Sequence, residues 1–351
     1  MAASCTSFNF SSIHASSDLN RHLPQLKYHL AQSHSVSTLF KRGEGNHYSD
    51  QPPAVGSPEW TSRYPKPGSI PPKESVPREW LDVLNVKVAS GKIPDVSKTT
   101  LDTKGKPVYP EGVDHLSQDI GSTTYLSHGP ESIWNGPQGT FGISFDDGPL
   151  EPTSKLVNFL KANEETATHF IIGGNIVSHP SEFLEVLGYG GDVAVHTWSH
   201  PHMTTLSNED IVAEIGWTIQ IIADSTGRIP RIWRPPYGDS DVRVRAVAKE
   251  VFELETVMWN RDSEDWKMTT NEKTTEALLH DMDGWLAGPK SPGLIVLEHE
   301  LTDQTVQAFT EAYPRIKNNG WRTGSLLALL SDSALDPECA LVTDSEPGPS
   351  T

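Results

Sequence analysis

Alternating strand and helix signals between Gly139 and Leu330 constrain the fold of this chain more than any other feature. Short, β-rich apolar runs are separated by longer segments whose apolar residues recur at helical spacing. Repeated strand–helix units favour a parallel sheet, and about seven of them in roughly 190 residues favour a closed or nearly closed barrel. We therefore predict an α/β fold, a distorted (β/α) barrel with about seven parallel strands and irregular N- and C-terminal extensions.

The predicted strands are short runs bounded by turn residues. They are Thr140–Phe145, Ala167–Ile172, Asp192–Val195, Ile232–Arg234, Thr256–Trp259, Gly293–Leu297 and a weak strand near Trp321. The predicted helices lie between them and show apolar residues at helical spacing. They are Thr153–Asn163, Ser207–Thr226, Asp241–Val251, Asn271–Trp285 and Thr302–Asn318. The helix at Ser207 opens with a capping-box pattern and stops before Gly227.

Shifts in composition predict four segments. Residues 1–42 are rich in Ser and His and are expected to be disordered or processed. Residues 43–138 form a Pro- and Gly-rich extension that is expected to pack partly on the barrel, with one helix predicted at Pro77–Val86. The barrel domain is placed at 139–331, and a disordered acidic tail at 332–351.

The charge and the cysteine content exclude several classes of protein. The formal net charge of −18 argues against a nucleic-acid or anionic-membrane partner, because binding to phosphate needs clustered Lys and Arg. The apolar runs are too short to form a transmembrane segment. Cys5 and Cys339 are the only cysteines, one in each tail, so the sequence offers neither a disulfide framework nor a cysteine metal site. Neither a signal peptide nor a GPI-anchor signal is visible.

Polar clusters follow the predicted strands, and barrel enzymes carry their sites at the C-terminal ends of strands. Asp146 and Asp147 end the first strand, and His196 and His200 follow the third. Two imidazoles four residues apart can converge, and with Asp147 they would form a three-ligand set that leaves one position open, as in catalytic metal sites. The alternatives are a solvated Asp-Gly-Pro turn and a pair of partnered surface histidines.

Three further clusters follow the fourth, fifth and sixth strands. Arg234-Pro235-Pro236-Tyr237 combines a permanent charge, which can keep a carboxylate ionised, with a stiff loop whose backbone N–H suits an oxyanion. Taken alone, this cluster is explained equally well by a structural Pro turn with a surface Arg. Asp262 to Trp266 adds three carboxylates and an indole. In Leu297-Glu298-His299, a histidine at a strand end becomes a candidate general acid if an Asp lies nearby.

Together, in barrel order, the five clusters resemble the motifs of polysaccharide deacetylases that share the NodB homology domain (carbohydrate esterase family 4). The resemblance covers roughly Gly139 to Leu330 and is strongest to the fungal chitin deacetylases. The family motifs T/S-F-D-D-G-P, H-S/T-x-x-H, R-x-P-Y, D-x-x-D-W and L-x-H stand here as Ser144–Pro149, His196–His200, Arg234–Tyr237, Asp262–Trp266 and Leu297–His299. No motif is missing, so the resemblance implies an active enzyme.

The resemblance also implies a role for the residues of each motif. It assigns one divalent metal ion to Asp147, His196 and His200. Zinc is the expected metal, and cobalt, nickel or manganese could occupy the same nitrogen-and-oxygen site. Asp146 is implied as the catalytic base and His299 as the catalytic acid.

Other residues are implied to support these groups or to contact the substrate. They are Arg234, which orients Asp146; Asp265, which supports His299; the Tyr237 N–H, which binds the oxyanion; and Trp266 and Leu297, which line the pocket for the acetyl methyl group. We also expect Trp198 and Trp266 to stack on sugar rings, whereas for Trp233 a position in the core is equally expected.

The implied reaction is hydrolysis of N-acetyl groups from N-acetylglucosamine residues of chitin, which gives chitosan and acetate. The expected partner is chitin or chitin oligomers, and we expect a monomer that is secreted or located in the cell wall. The alternatives are a deacetylase of another glycan (peptidoglycan or xylan), a glycan-binding wall protein without turnover, and a two-His-one-carboxylate iron oxygenase. The last usually has His and Asp two residues apart with a distant second His, unlike His196 and His200.

Overall fold

The structure, a computed structural model, describes residues 36–40, 53–125 and 131–334. Most of the predicted N-terminal segment 1–42 and of the predicted acidic tail 332–351 lies outside these ranges, and so do both cysteines. Residues 332–334 are the last residues of a helix. Within the described ranges, the helices are too short or too polar to cross a membrane.

Nine parallel strands form the main sheet, and a two-stranded antiparallel hairpin lies in the extension. The hairpin strands are β1 (Thr100–Leu101) and β2 (Pro107–Val108). The strands of the main sheet are β3 (Ser132–Ile133), β4 (Thr140–Asp146), β5 (Thr168–Ile171), β6 (Asp192–Val195), β7 (Ile232–Trp233), β8 (Glu255–Val257), β9 (Arg261–Asp262), β10 (Leu294–Leu297) and β11 (Arg322–Ser325).

The sheet curls into a distorted (β/α) barrel, which confirms the predicted fold class. Its order is β3-β8-β7-β6-β5-β4-β10-β9, and β11 also pairs with β4. Strand β4 is the longest and lies at the centre: its first half pairs with β11 and its second half with β5. All seven predicted strands are present. The two that the prediction missed, β3 and β9, have two residues each, too few to show a period in the sequence. Because β3 pairs with β8, the sheet includes residues before the predicted domain boundary at 139.

Helices surround the sheet and connect its strands. They are α1 (Val36–Leu39), α2 (Pro58–Thr61), α3 (Arg78–Ala89), α4 (Thr153–Ala162), α5 (Gly173–Ser178), α6 (Pro180–Tyr189), α7 (Asn208–Thr226), α8 (Val242–Phe252), α9 (Thr275–Leu286), α10 (Asp303–Asn318) and α11 (Leu326–Ala334). The predicted capping box is present at the start of α7, where the Ser207 hydroxyl accepts the Asp210 N–H.

Five of these helices were not predicted: α1, α2, α5, α6 and α11. Helix α5 begins with two glycines, which disfavour a helix interior on intrinsic propensity. Packing explains the first of them: a Cβ at Gly173 would lie 2.6 Å from the Trp198 ring and 2.7 Å from the Thr218 hydroxyl. Tertiary contacts therefore override the local preference at this position.

The interior of the barrel is filled by alternate residues of the strands. Its small apolar cluster comprises Phe170, Ala194, Ile232, Val257 and Ile295 from five strands, together with Leu326 and Leu327 from α11. The Leu327 N–H donates to the hydroxyl of Thr168, the first residue of β5. Helix α11 therefore closes the amino-terminal end of the barrel, which leaves the carboxyl end of the strands for a site.

The extension packs on the outside of the barrel through buried tryptophans. Trp80 of α3 is fully buried against α7 and α8, and its indole N–H donates to the Leu39 carbonyl at 3.2 Å. Its ring lies 6.1 Å from that of Phe252, centroid to centroid. A Cβ at Gly216, in the middle of α7, would overlap the Trp80 ring, so the glycine makes room for the tryptophan.

Replacing this anchor is expected to destabilise the protein. Trp80→Ala should lower the free energy of unfolding by about 3–5 kcal/mol, because it leaves a large cavity between α3 and α7. Val86→Ala is the matched control, since Val86 lies on the same helix with 65% of its surface exposed and should change stability by no more than about 0.5 kcal/mol. Denaturant unfolding measures both variants. An unchanged midpoint for Trp80→Ala would mean that the extension contributes nothing to stability.

Candidate active site

A pocket of about 310 Å³ lies at the carboxyl end of the strands. It collects residues from all five sequence clusters, which are separated by up to about 150 positions in the chain. The lining residues are Asp146, Asp147, His196, His200, Pro235, Tyr237, Trp259, Asp262, Trp266, Leu297 and His299. The structure therefore brings together ten residues of the five clusters that the sequence singled out, with Trp259 added.

Asp147, His196 and His200 converge on one point of this pocket. Asp147 Oδ1 lies 3.3 Å from Nε2 of His196 and 3.1 Å from Nε2 of His200. Asp147 and His200 have left-handed backbone angles, φ 72° and 63°. These angles bend the chain directly after β4 and in the loop that follows β6. One ligand atom from each residue lies within 4.8 Å of the others, as a shared metal ion requires.

The chemistry of these three side chains fits a divalent cation. His196 Nδ1 lies 2.7 Å from the Arg234 carbonyl oxygen, which can only accept, so Nδ1 carries the proton and Nε2 presents a lone pair to Asp147 in the neutral ring. Asp147 Oδ1 is buried and has no hydrogen-bond partner. Two electron-rich atoms at this distance repel each other unless a cation lies between them. Tetrahedral zinc ligands at about 2.0–2.1 Å stand about 3.4 Å apart, which matches the observed spacing.

The carboxylate of Asp147 is held in its ionised form. Burial alone would raise its pKa, but the hydrogen bonds and the charge that His196 and His200 supply in their protonated forms hold the pKa well below its usual range. An ionised, buried oxygen is a strong ligand for a cation. The electrostatics of the three residues therefore agree with their geometry.

Asp146 has a different environment from that of its neighbour. Its Oδ1 accepts a hydrogen bond from Arg234 Nη1 at 2.6 Å, and both side chains are buried. The guanidinium is fixed further by the Phe170 ring, 4.0 Å below it, and by the Val257 carbonyl, which accepts from Nε at 3.3 Å. Asp146 Oδ2 lies 3.8 Å from Nε2 of His196. One oxygen is thus held by the arginine, and the other faces the three-residue cluster.

His299 is held by Asp265 through two hydrogen bonds. The His299 backbone N–H donates to Asp265 Oδ2 at 2.8 Å, and His299 Nδ1 lies 2.6 Å from Asp265 Oδ1. Burial lowers the pKa of the imidazole, but the charge and hydrogen bond of Asp265, together with the charges of Asp147 and Asp146, raise it to about 10. With Nδ1 engaged, the ring has its second N–H, on Nε2, to donate.

Tyr237 lies at the rim in a strained turn. Its backbone is left-handed, with φ 58° and ψ 10°, between Pro236 and Gly238. The phenol ring is 59% exposed and stacks on His202, with the ring centroids 4.0 Å apart. Its edge also meets His200, with 4.5 Å between the ring centroids. The Tyr237 backbone is therefore fixed beside one of the candidate metal ligands.

The prediction for Trp198 is wrong. Its side chain is fully buried and belongs to the core, and its indole N–H donates to the Lys66 carbonyl of the extension at 3.3 Å. The reversed backbone at Thr197, φ 67°, turns Trp198 away from the pocket. Trp266, in contrast, is 42% exposed and lines the pocket. Trp233 is buried, and its N–H donates to the Thr256 hydroxyl, as expected for a core residue.

Two residues near the site were missed by the sequence reasoning. Trp259 lines the pocket just after β8, so the rule that sites follow strand ends could have found it. Glu214 on α7 holds the loop between His196 and His200 through three hydrogen bonds. No local signal marks Glu214, because a single acid in an amphipathic helix normally faces solvent.

Comparison with known proteins identifies the family. A family model described as polysaccharide deacetylase matches residues 135–252. Chitin deacetylase 3 of Cryptococcus neoformans var. neoformans is 41% identical over 292 residues, which make up 82% of this chain and 68% of that protein. Chitin deacetylase 1 of Saccharomyces cerevisiae is 41% identical over 166 residues, or 47% of this chain and 53% of that protein.

Solved structures agree with this assignment. The structure of the chitin deacetylase from the fungal pathogen Colletotrichum lindemuthianum aligns with a TM-score of 0.53 and 25% identity, over 56% of this chain and 90% of that one. The resemblance inferred from the five motifs is confirmed: the chain belongs to the polysaccharide deacetylase family, carbohydrate esterase family 4.

Proposed function

We propose that this protein hydrolyses N-acetyl groups from N-acetylglucosamine residues of chitin or chitin oligomers, giving acetate and a glucosamine unit. The observation that carries the proposal is the convergence of three groups in one pocket. They are a two-His-one-Asp cluster, an arginine-held carboxylate (Asp146) and an aspartate-held imidazole (His299). Hydrolysis of an amide needs these three: electrophilic activation, a base and an acid.

Asp146 is the proposed base. Its Oδ1 is occupied by Arg234 at 2.6 Å, which leaves Oδ2 to take a proton from an attacking water. The same hydrogen bond fixes the direction of the carboxylate, so that Oδ2 faces the three-residue cluster. A divalent cation held by Asp147, His196 and His200 would polarise the carbonyl and lower the pKa of water.

His299 is the proposed acid. An amide nitrogen cannot leave as an anion, so it must be protonated as the C–N bond breaks. Asp265 holds the ring on its Nδ1 side and raises its pKa, which keeps a proton available at neutral pH.

The pocket walls account for recognition of the acetyl group. Leu297 and Trp266 both line the pocket and offer an apolar surface to the acetyl methyl group. The Tyr237 N–H is the proposed donor to the oxyanion, an interaction that is worth about 3–4 kcal/mol in the transition state. Its left-handed backbone is fixed before substrate binds, as such preorganised donors require.

The choice of chitin over other acetylated glycans rests on the relatives named above, which are chitin deacetylases by name. Xylan carries acetyl esters, whose oxygen leaves more easily than nitrogen, and therefore tests the need for an acid. We further propose zinc as the metal, because it suits two imidazoles and a carboxylate. We also propose that the protein is a monomer and that it is secreted or located in the cell wall.

Acetate release tests the function directly. The protein is expected to release acetate from chitin oligomers faster than from acetylxylan or peptidoglycan. Treatment with a chelator should abolish that activity, and zinc or cobalt should restore it, because the three-residue cluster needs a cation. Faster release from xylan or peptidoglycan would reassign the substrate. Binding to chitin without acetate release from the metal-loaded protein would favour a glycan-binding protein, and dependence on O₂ would favour an oxygenase.

The pH dependence tests His299. In the wild type the charge and hydrogen bond of Asp265 raise the pKa of the imidazole and keep it protonated at neutral pH, so kcat/KM should fall only on the alkaline side of neutrality. Asp265→Asn removes the largest influence that raises this pKa. The alkaline limb of the pH profile should therefore move to lower pH, and an unmoved limb would show that Asp265 does not control the acid.

A further inference from the structure

The loop that carries His200 is held from behind by one buried carboxylate. Glu214, on α7, is fully buried. Its Oε2 accepts the backbone N–H groups of Trp198 and Ser199, both at 2.8 Å, and its Oε1 accepts the Ser199 hydroxyl at 2.6 Å. Three donors of the segment between the two histidines thus converge on a single side chain.

This loop needs such support because its backbone is strained. Thr197 and His200 both have left-handed φ angles, 67° and 63°, which are unfavourable for residues with a Cβ. Strained backbones of this kind persist only where surrounding contacts hold them. The Gly173 and Gly174 N–H groups donate to the Thr197 and Trp198 carbonyls at 2.9 and 3.0 Å. Glu214 accepts the N–H groups of the two residues in between.

The position of Glu214 in α7 points to the same role. Its helix neighbours Ile211, Ile215 and Ile219 are buried apolar residues of the core. An apolar residue would therefore suit position 214 for packing alone, and burial of a carboxylate is unfavourable unless its oxygens are satisfied. Burial raises the pKa of Glu214 to about 7, against the lowering influence of its hydrogen bonds to the loop.

We propose that Glu214 is a positioning residue for the metal site: by fixing the Trp198–Ser199 backbone, it sets the directions of His196 and His200 and thereby the affinity for the cation. The inference rests on the proposed metal-dependent function. Groups that orient metal ligands typically change metal affinity by about 10- to 100-fold when they are removed.

Metal affinity, measured by competition with a chelator, tests this directly on the full chain. Glu214→Leu keeps the volume but removes both acceptor atoms, and it should bind zinc about 10- to 100-fold more weakly. Glu214→Gln retains an acceptor for the two N–H groups and should recover most of that loss. Glu165→Leu is the matched control: Glu165 is also buried and accepts three side-chain hydrogen bonds, but these come from Tyr313, Lys317 and Thr323, away from the pocket.

The visible absorption of cobalt bound to each variant gives a second readout, since it reports the ligand geometry rather than stability. Altered bands for Glu214→Leu and unaltered bands for Glu165→Leu support the proposal. Equal affinity and identical bands for Glu214→Leu and wild type would overturn it. If Glu214→Leu does not fold, Ser199→Ala takes its place as the test variant. It removes one of the three hydrogen bonds and should bind zinc about fivefold more weakly. An unchanged zinc affinity in Ser199→Ala would contradict the proposal. A wild type that binds no cation would instead refute the proposed function.

Discussion

Asp146→Asn is expected to release acetate about 10²- to 10⁴-fold more slowly than the wild type while still binding one divalent cation per chain. The amide cannot take a proton from water, whereas Asp147, His196 and His200 remain in place to hold the cation. The variant also leaves the buried Arg234 charge without its partner, so the free energy of unfolding should fall by about 3–5 kcal/mol. Steady-state acetate release and metal content, measured on folded protein, separate the two effects.

Asp192→Asn is the control for loss of a buried carboxylate. Asp192 is also buried and accepts a hydrogen bond from the Ser325 hydroxyl, but it begins β6, at the end of the barrel opposite the pocket. Its activity should stay close to that of the wild type at a temperature where both are folded. More than about a tenth of wild-type activity in Asp146→Asn would show that another group acts as the base.

His196→Ala is expected to lose both the cation and the activity. It removes one of three candidate ligands, so zinc should bind more than about 100-fold more weakly. This loss is larger than the roughly 10- to 100-fold that is typical for loss of a residue that only orients a ligand. Acetate release should fall to background at metal concentrations that saturate the wild type. Metal analysis and competition with a chelator measure the first effect, and acetate release measures the second.

His280→Ala controls for the change of residue type, because His280 is exposed on α9. It should bind the cation and release acetate as the wild type does. Wild-type affinity in His196→Ala would place the metal elsewhere and would remove the central argument for hydrolysis. If His196→Ala lost the metal but kept its activity, the reaction would not need the cation.

The barrel could be predicted from the sequence because apolar residues recur at clear strand and helix spacings. All seven predicted strands lie in the sheet, most of them within one or two residues of the predicted ends. Strands β3 and β9 were missed because two residues show no period. Helix α5 was missed because its paired glycines are explained only by the neighbouring Trp198 and Thr218, which are distant in sequence.

The residues of the candidate site could be predicted because the carboxyl ends of parallel strands meet at one edge of the sheet. That rule predicts that Asp147, His196 and His299 lie together, and the structure has all three in a single pocket. It could not predict side-chain directions within the loops. Trp198 follows the third strand as the rule requires, but a single left-handed residue before it directs the indole into the core. The reversal at Thr197 leaves no mark in the sequence, because a β-branched residue rarely adopts a left-handed backbone.

The helix that plugs the lower end of the barrel has a further consequence for how a polymer is handled. With Leu326 and Leu327 packed among the inward-facing strand residues, the described part of the barrel is closed at its amino-terminal end, and the pocket lies at the opposite end. We therefore expect the proposed substrate, a long sugar chain, to lie across the pocket and to present one acetamide at a time. On this geometry, acetate is expected to leave through the same side of the barrel by which the acetamide entered.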